Sequence, residues 1–191
     1  MPTNDLHSSL SMLFAELTEG PSPDAAYMLN RGDPGLLQSL DSLPAEAASR
    51  SSAPGAASIA AHVDHLCYGL DLMNRWSDGE ADPWSSADWT ASWRRTTLTE
   101  REWATLRERL RQATLRWHED LQTPRTMSAS ELNGVIASVA HLAYHLGAIR
   151  QIDRSIQGRK LPDVRARFPG ASLRWRKAQV LQRMHAAPAR L

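Results

Sequence analysis

Four stretches of this chain repeat apolar residues every three or four positions, and each is too long to be a strand. Leu6, Leu10, Leu13, Phe14 and Leu17 form the first row; Ile59, Val63, Leu66, Leu70 and Met73 form the second. Trp103, Leu106, Leu110, Ala113, Trp117 and Leu121 form the third, and Leu132, Val135, Ile136, Val139, Leu142, Leu146, Ile149 and Ile152 the fourth. That period places each row on one face of an α-helix. The spacing predicts helices over about residues 5–19, 56–76, from Thr99 onward, and 128–155. Thr99 with Glu102, and Ser128 with Glu131, have the spacing of capping boxes at the starts of the last two. A shorter helix is expected around 35–43, and a basic amphipathic one around 172–185. No alternating segment of comparable length competes.

Four helices with one apolar face each must bury those faces against one another, so the expected fold class is all-α, a four-helix bundle. The 191 residues suffice for one such core, and 42% hydrophobic with 23% charged residues is the balance of a globular protein. The bundle is expected over residues 1–155, with extra short helices, followed by a basic C-terminal extension over 156–191. The net charge of +1 conceals the difference between these parts. Residues 1–154 hold 13 Lys and Arg against 20 Asp and Glu, whereas residues 155–191 hold nine basic residues and one acid, Asp163. The extension has no nucleic-acid motif, so it is expected to lie on the acidic body or on a partner subunit, with nucleic acid not the expected partner. A homodimer is the expected assembly.

Residues 1–20 carry Asp5, Glu16 and Glu19 but no basic cluster followed by an apolar run, so a secretory leader is not expected. No unbroken run of about 18 apolar residues predicts a membrane span. The default expectation is a cytoplasmic protein. The single cysteine, Cys67, excludes an intrachain disulfide and any CxxC site; its position about 200° around the helix from His65 predicts a core residue.

Histidines supply the candidate chemistry. His141 and His145 are four residues apart, one turn apart on one helix face, which lets two imidazoles reach one ion. Leu142 stands where a zinc protease would place its glutamate, so that chemistry is disfavoured. In the second helix, His62 or His65 would supply a third nitrogen, and spacing alone does not choose between them. Three imidazoles with a vacant fourth position is the ligand set of a catalytic zinc site, and nickel also suits imidazole.

The string from Ile136 to Ile152, IASVAHLAYHLGAIRQI, resembles the last bundle helix of the DinB/YfiT-like metalloenzymes, and SIAAHVDHL resembles the ligand-bearing stretch of their second helix. The resemblance covers roughly residues 5–155. It implies a DinB/YfiT-like four-helix bundle with a divalent metal, zinc or nickel, on His65, His141 and His145, leaving His62 as a neighbour. It also implies a metal-dependent thiol S-transferase, using a low-molecular-weight thiol cosubstrate on a small-molecule electrophile. The chain departs from the family pattern at Ala148, where a glutamine is usual. Gly147 matches the family and implies close helix packing behind the site.

The connection of about 22 residues from Ser77 to Leu98 is long for a bundle and carries Trp84, Trp89, Trp93, Arg94 and Arg95. Trp89, Trp93 and Arg94 are the candidate substrate-pocket residues, with an aromatic or carboxylated ligand in view. The competing reading, favoured by the habit of tryptophan to bury itself, is that these indoles plug the bundle end. Tyr68 and Tyr144 are candidate hydrogen-bond donors behind the ligands. Two other functions fit the ligand set: a metal-dependent hydrolase, whose nearest acids are Asp64 and Asp71, and a non-catalytic metal- or ligand-binding stress-response protein.

Overall fold

A computed structural model describes residues 3–91, 93 and 97–158. The expectations for Arg94, for Arg95 and for most of the basic extension therefore lie outside the described residues. Within them the protein is all-α, and the only β pairing is a single bridge between Ser51 and Ser58.

Four long helices, α1 (Thr3–Glu19), α4 (Ile59–Ser77), α5 (Glu100–Gln122) and α6 (Ala129–Ile152), are accompanied by the short α2 (Leu36–Asp41) and α3 (Ala45–Ser49). A 3-10 turn, Arg154–Ile156, follows α6. In cross-section the bundle is a ring: α4 packs on α5, α5 on α1, α1 on α6, and α6 on α4. The predicted apolar rows meet inside it, with Phe14, Ile59, Val63, Trp103, Leu110 and Ile149 fully buried.

Local chemistry sets the helix ends. Both capping boxes form: Thr99 and Ser128 each accept from the N–H three residues on, and Glu102 and Glu131 reach back to the cap N–H groups. Ser58 caps α4 by accepting from Ala61 N–H, so that helix begins three residues later than its apolar pattern suggests. α1 ends at Gly20, whose φ of 109° is a left-handed conformation that side chains disfavour. Gly35 then passes so close to this end that a Cβ there would lie 2.4 Å from the Thr18 carbonyl oxygen.

Two buried carboxylates fix the loop between α1 and α2. Glu16 accepts from the N–H groups of Tyr27, Met28 and Leu29 at 2.7–3.0 Å. Asp33 accepts from Asn30, while Arg150 near the end of α6 donates to the Pro34 carbonyl at 2.7 Å. The loop is thereby tied to α1 and to α6.

α6 differs from the sequence-based expectation about membrane spans. By length and composition alone it is long and apolar enough to cross a bilayer, with mean hydropathy 1.3 over its best window. Here its row of Val135, Val139, Leu142, Leu146 and Ile149 packs into the bundle. The opposite face, including Ile136 and Tyr144, is exposed. Gly147 also lies on open space, with nothing within 4 Å of where a Cβ would stand, so it mediates no close packing.

Candidate metal centre

α4 and α6 are neighbours in the ring, and each turns a histidine-bearing face toward the other. His141 and His145 lie one helical turn apart on α6, and His65 faces them from α4. His65 Nε2 is 3.2 Å from His141 Nε2, and His145 Nε2 is 2.8 Å from the same atom. One nitrogen from each of the three lies within 4.8 Å of the others. Nitrogens bound to one tetrahedral ion at about 2.0–2.1 Å are separated by about 3.3 Å, and the two contacts to His141 lie close to that value. The nitrogens that converge are those of His65, His141 and His145, while His62 approaches His145 through the other ring nitrogen of that residue.

The surroundings keep these imidazoles neutral. Burial, followed by the neighbouring His141 and His62, pushes His65 down to about 4 against an opposing pull from Asp64. Burial, followed by His141, His62 and His65, pushes His145 down to about 3. His62 and His141 are lowered by burial as well. A neutral imidazole offers a lone pair, so the cluster is in the protonation state that a metal requires.

His62 has a part that sequence reasoning did not assign. Its Nδ1 lies 2.8 Å from Nδ1 of His145, and both rings are buried. Were a cation held on His145 Nε2, the ring proton would lie on Nδ1 and donate to His62 Nδ1. An outer partner of this kind fixes the ring orientation and tautomer of a metal-binding histidine. The residue lies one turn before His65 on the same face, which was the signal available; the cross-helix register was not. We expect His62→Leu to weaken zinc affinity by roughly 10–100-fold, measured by chelator competition, with His62→Gln recovering part of the loss. Equal affinities for wild type and His62→Leu would contradict this.

The long connection lies over the site. Trp93 stacks on His65, with centroids 4.4 Å apart and planes 29° from parallel, and meets His62 edge-on at 5.3 Å. Trp89 lies 5.5 Å from His65 and edge-on to Tyr68 at 5.3 Å. The Tyr68 hydroxyl accepts from Asp88 N–H at 2.8 Å, which pins the connection to α4. Trp84, Trp89 and Trp93 each remain 37–38% exposed, so the indoles roof the site and are not a buried plug.

Between α4 and α6 a cavity of about 380 Å³ runs from His65 and His141 past Gly69 and Met73 to Gly134, flanked by Trp84 and Trp89. Trp89 thus lines the candidate pocket, whereas Trp93 covers the histidines beside it. Tyr144 is 70% exposed and only presents its edge to His145, so it is not a buried donor. Cys67 is buried with its Sγ toward the Leu106 carbonyl of α5, away from the site. His7 pairs with the backbone of Arg125, and His118 stacks on Phe14; neither joins the cluster.

Comparisons with curated proteins and with solved structures found no match. The sequence profile of the DinB superfamily matches residues 29–149, a span that contains α2 to most of α6 and all four clustered histidines. Its agreement with the all-α bundle and the convergent imidazoles leads to one assignment: the chain belongs to the DinB superfamily.

Proposed function

We propose that this protein is a metal-dependent S-transferase that joins a low-molecular-weight thiol to a small electrophile. The observation that carries the reading is the convergence of three neutral imidazoles at one end of an open cavity. Three protein ligands leave a position for an exogenous group, which a closed structural site would not. A bound divalent ion, zinc or nickel by the character of the donors, supplies Lewis acidity that lowers the pKa of a thiol.

The chain's own residues account for the rest. His65, His141 and His145 hold the ion, and His62 orients His145. Trp93 shields the histidines from water on the side of the connection. The cavity opens beside them, with Trp84 and Trp89 along its outer wall, and receives the organic part of what binds at the ion. The sulfur forms the new S–C bond, its proton passes to solvent, and the leaving group departs with the electron pair of the bond that breaks. No protein nucleophile is required. The hydrolase reading asks for a carboxylate base beside the ligands. The two acids of α4, Asp64 and Asp71, both engage Arg109 of α5 instead.

The test pairs the metal-loaded protein with glutathione, bacillithiol, mycothiol and a simple dithiol in turn, each with a chromogenic electrophile. The rate is expected to need metal and to saturate in one of the thiols. No metal-dependent rate across the panel, with no spectral change when thiol is added to cobalt-loaded protein, would sink the transferase and favour a binding protein.

A further inference from the structure

The cavity beside the histidines has a chemical character that narrows its ligand. Its walls are the side chains of Leu66, Leu70 and Met73 from α4 and Leu142 from α6, with two part-exposed indoles along its open side. Among the described residues, none that lines it bears a carboxylate, an ammonium or a guanidinium. Among the described lining residues, the polar side chains besides His65 and His141 are Ser138 and the indole N–H groups of Trp84 and Trp89. The Ser138 hydroxyl is already engaged: it donates to the Val135 carbonyl at 2.7 Å and accepts from Trp117 Nε1 at 3.0 Å.

Small residues make the space. A Cβ on Gly69 would stand 3.7 Å from His141 Cε1 and 3.8 Å from Trp89 Cζ3, in ordinary contact and inside the room now open. A Cβ on Gly134 would meet nothing within 4 Å. Ala137, one turn beyond Gly134 on α6, adds little bulk to the same wall. Larger side chains at these points would close the gap between α4 and α6.

The polar end and the apolar end therefore make different demands. A group at the histidine end finds nitrogen donors, and a cation when one is bound. Whatever extends from it meets, among the described residues, mainly hydrocarbon and indole and no charged partner. A carboxylate or sulfonate placed there would lose water without compensation, which is costly. A chain of methylenes or an aryl ring would gain about 0.8 kcal/mol per buried CH₂, or about fourfold in affinity.

We infer that the ligand of this site is a small molecule with a metal-binding head and an uncharged, apolar arm, the arm lying in the cavity between Gly69 and Gly134 under Trp84 and Trp89. This rests on the metal-site half of the proposed function and not on turnover. Of the aromatic or carboxylated ligand expected from the connection, it favours the aromatic, apolar kind, recognised by hydrocarbon contact.

The experiment titrates cobalt-loaded full-length protein with ethanethiol, butanethiol and hexanethiol, and with 2-mercaptoethanesulfonate and 3-mercaptopropionate, following the visible cobalt bands. Affinity is expected to rise about fourfold per added methylene, while the two charged thiols bind no tighter than ethanethiol. Gly134→Leu and Ala137→Leu should flatten the chain-length dependence with cobalt affinity unchanged and thermal melting not lowered. The inference is overturned by affinity independent of chain length in the wild type, or by charged thiols binding more tightly than hexanethiol. It is also overturned if both leucine variants keep the full wild-type slope. A wild type that binds cobalt and alkanethiols with this slope, yet turns over no electrophile, would refute the transferase and leave the inference standing. A wild type that takes up no cobalt would remove both.

Discussion

Replacing His141 or His145 by alanine is expected to reduce binding from about one divalent ion per chain to none that survives gel filtration. Each variant removes one of three nitrogens that converge within 4.8 Å. Loss of a supporting residue alone typically costs 10–100-fold in metal affinity, so loss of a ligand should cost more than about a hundredfold. Helicity should change little, because the residues that fix α6 are its Ser128 cap and its buried row from Val135 to Ile149. Elemental analysis and circular dichroism on the same samples check both parts. Full occupancy in both variants would show that the ion, if any, sits elsewhere.

The same cluster makes the metal-free fold acid-sensitive in a defined window. Unfolded, these imidazoles titrate near 6.5, whereas the fold holds His65 down to about 4 and His145 down to about 3. Below pH 6.5 the unfolded chain binds protons that the native chain refuses, so stability present above 6.5 is lost as the pH falls toward 4. Melting temperature should drop between pH 7.5 and 5 and be partly restored by zinc. A flat profile over that range would contradict the assigned burial.

The largest loss of stability is expected from Trp103→Ala, about 3–5 kcal/mol. Trp103 is wholly buried where α5 meets the α2–α3 corner, and its Nε1–H donates to the Leu43 carbonyl at 2.8 Å. Alanine removes the indole and leaves that carbonyl without its donor. In a chain of this size such a loss lowers the melting temperature by roughly 6–20 °C. Trp103→Phe separates the two contributions: it restores most of the volume but not the hydrogen bond, so its cost should fall near the ~1–3 kcal/mol of an unsatisfied buried group. A melting temperature within a degree or two of wild type for Trp103→Ala would mean that the α2–α3 corner does not depend on this contact.

What was legible in the sequence was local. The apolar rows gave the four long helices, and the capping boxes at Thr99 and Ser128 gave two of their starts to the residue. His141 and His145 were legible because both donors lie on one helix, where spacing determines direction. His65 was a different case. Its direction toward α6 depends on how two helices are rotated about each other, and the family resemblance, not spacing, selected it. The His62–His145 hydrogen bond and the cavity at Gly69 and Gly134 depend on the same rotation and on the distance between α4 and α6, which no local pattern encodes. α3 was missed because AEAAS is five residues long and has no repeat to detect; Glu100 of α5 supports it by accepting from Ala45 N–H at 2.8 Å. Between a pocket wall and a plug the sequence left the indoles of the connection undecided, because tryptophan's preference for burial is a statement about area, whereas their position follows the backbone that Tyr68 holds at Asp88.

The distribution of the indoles has a practical consequence. Trp103 and Trp117 sit in the dry core, while Trp84, Trp89 and Trp93 stand part-exposed along the site, the last two with ring centroids 5.5 and 4.4 Å from that of His65. Of these five, the buried pair is expected to emit to the blue and report folding, and the three along the site to emit further to the red and report the site. An open-shell ion such as cobalt or nickel would darken the redder component and spare the blue. Occupancy and unfolding can then be followed separately, in one cuvette, with no label attached.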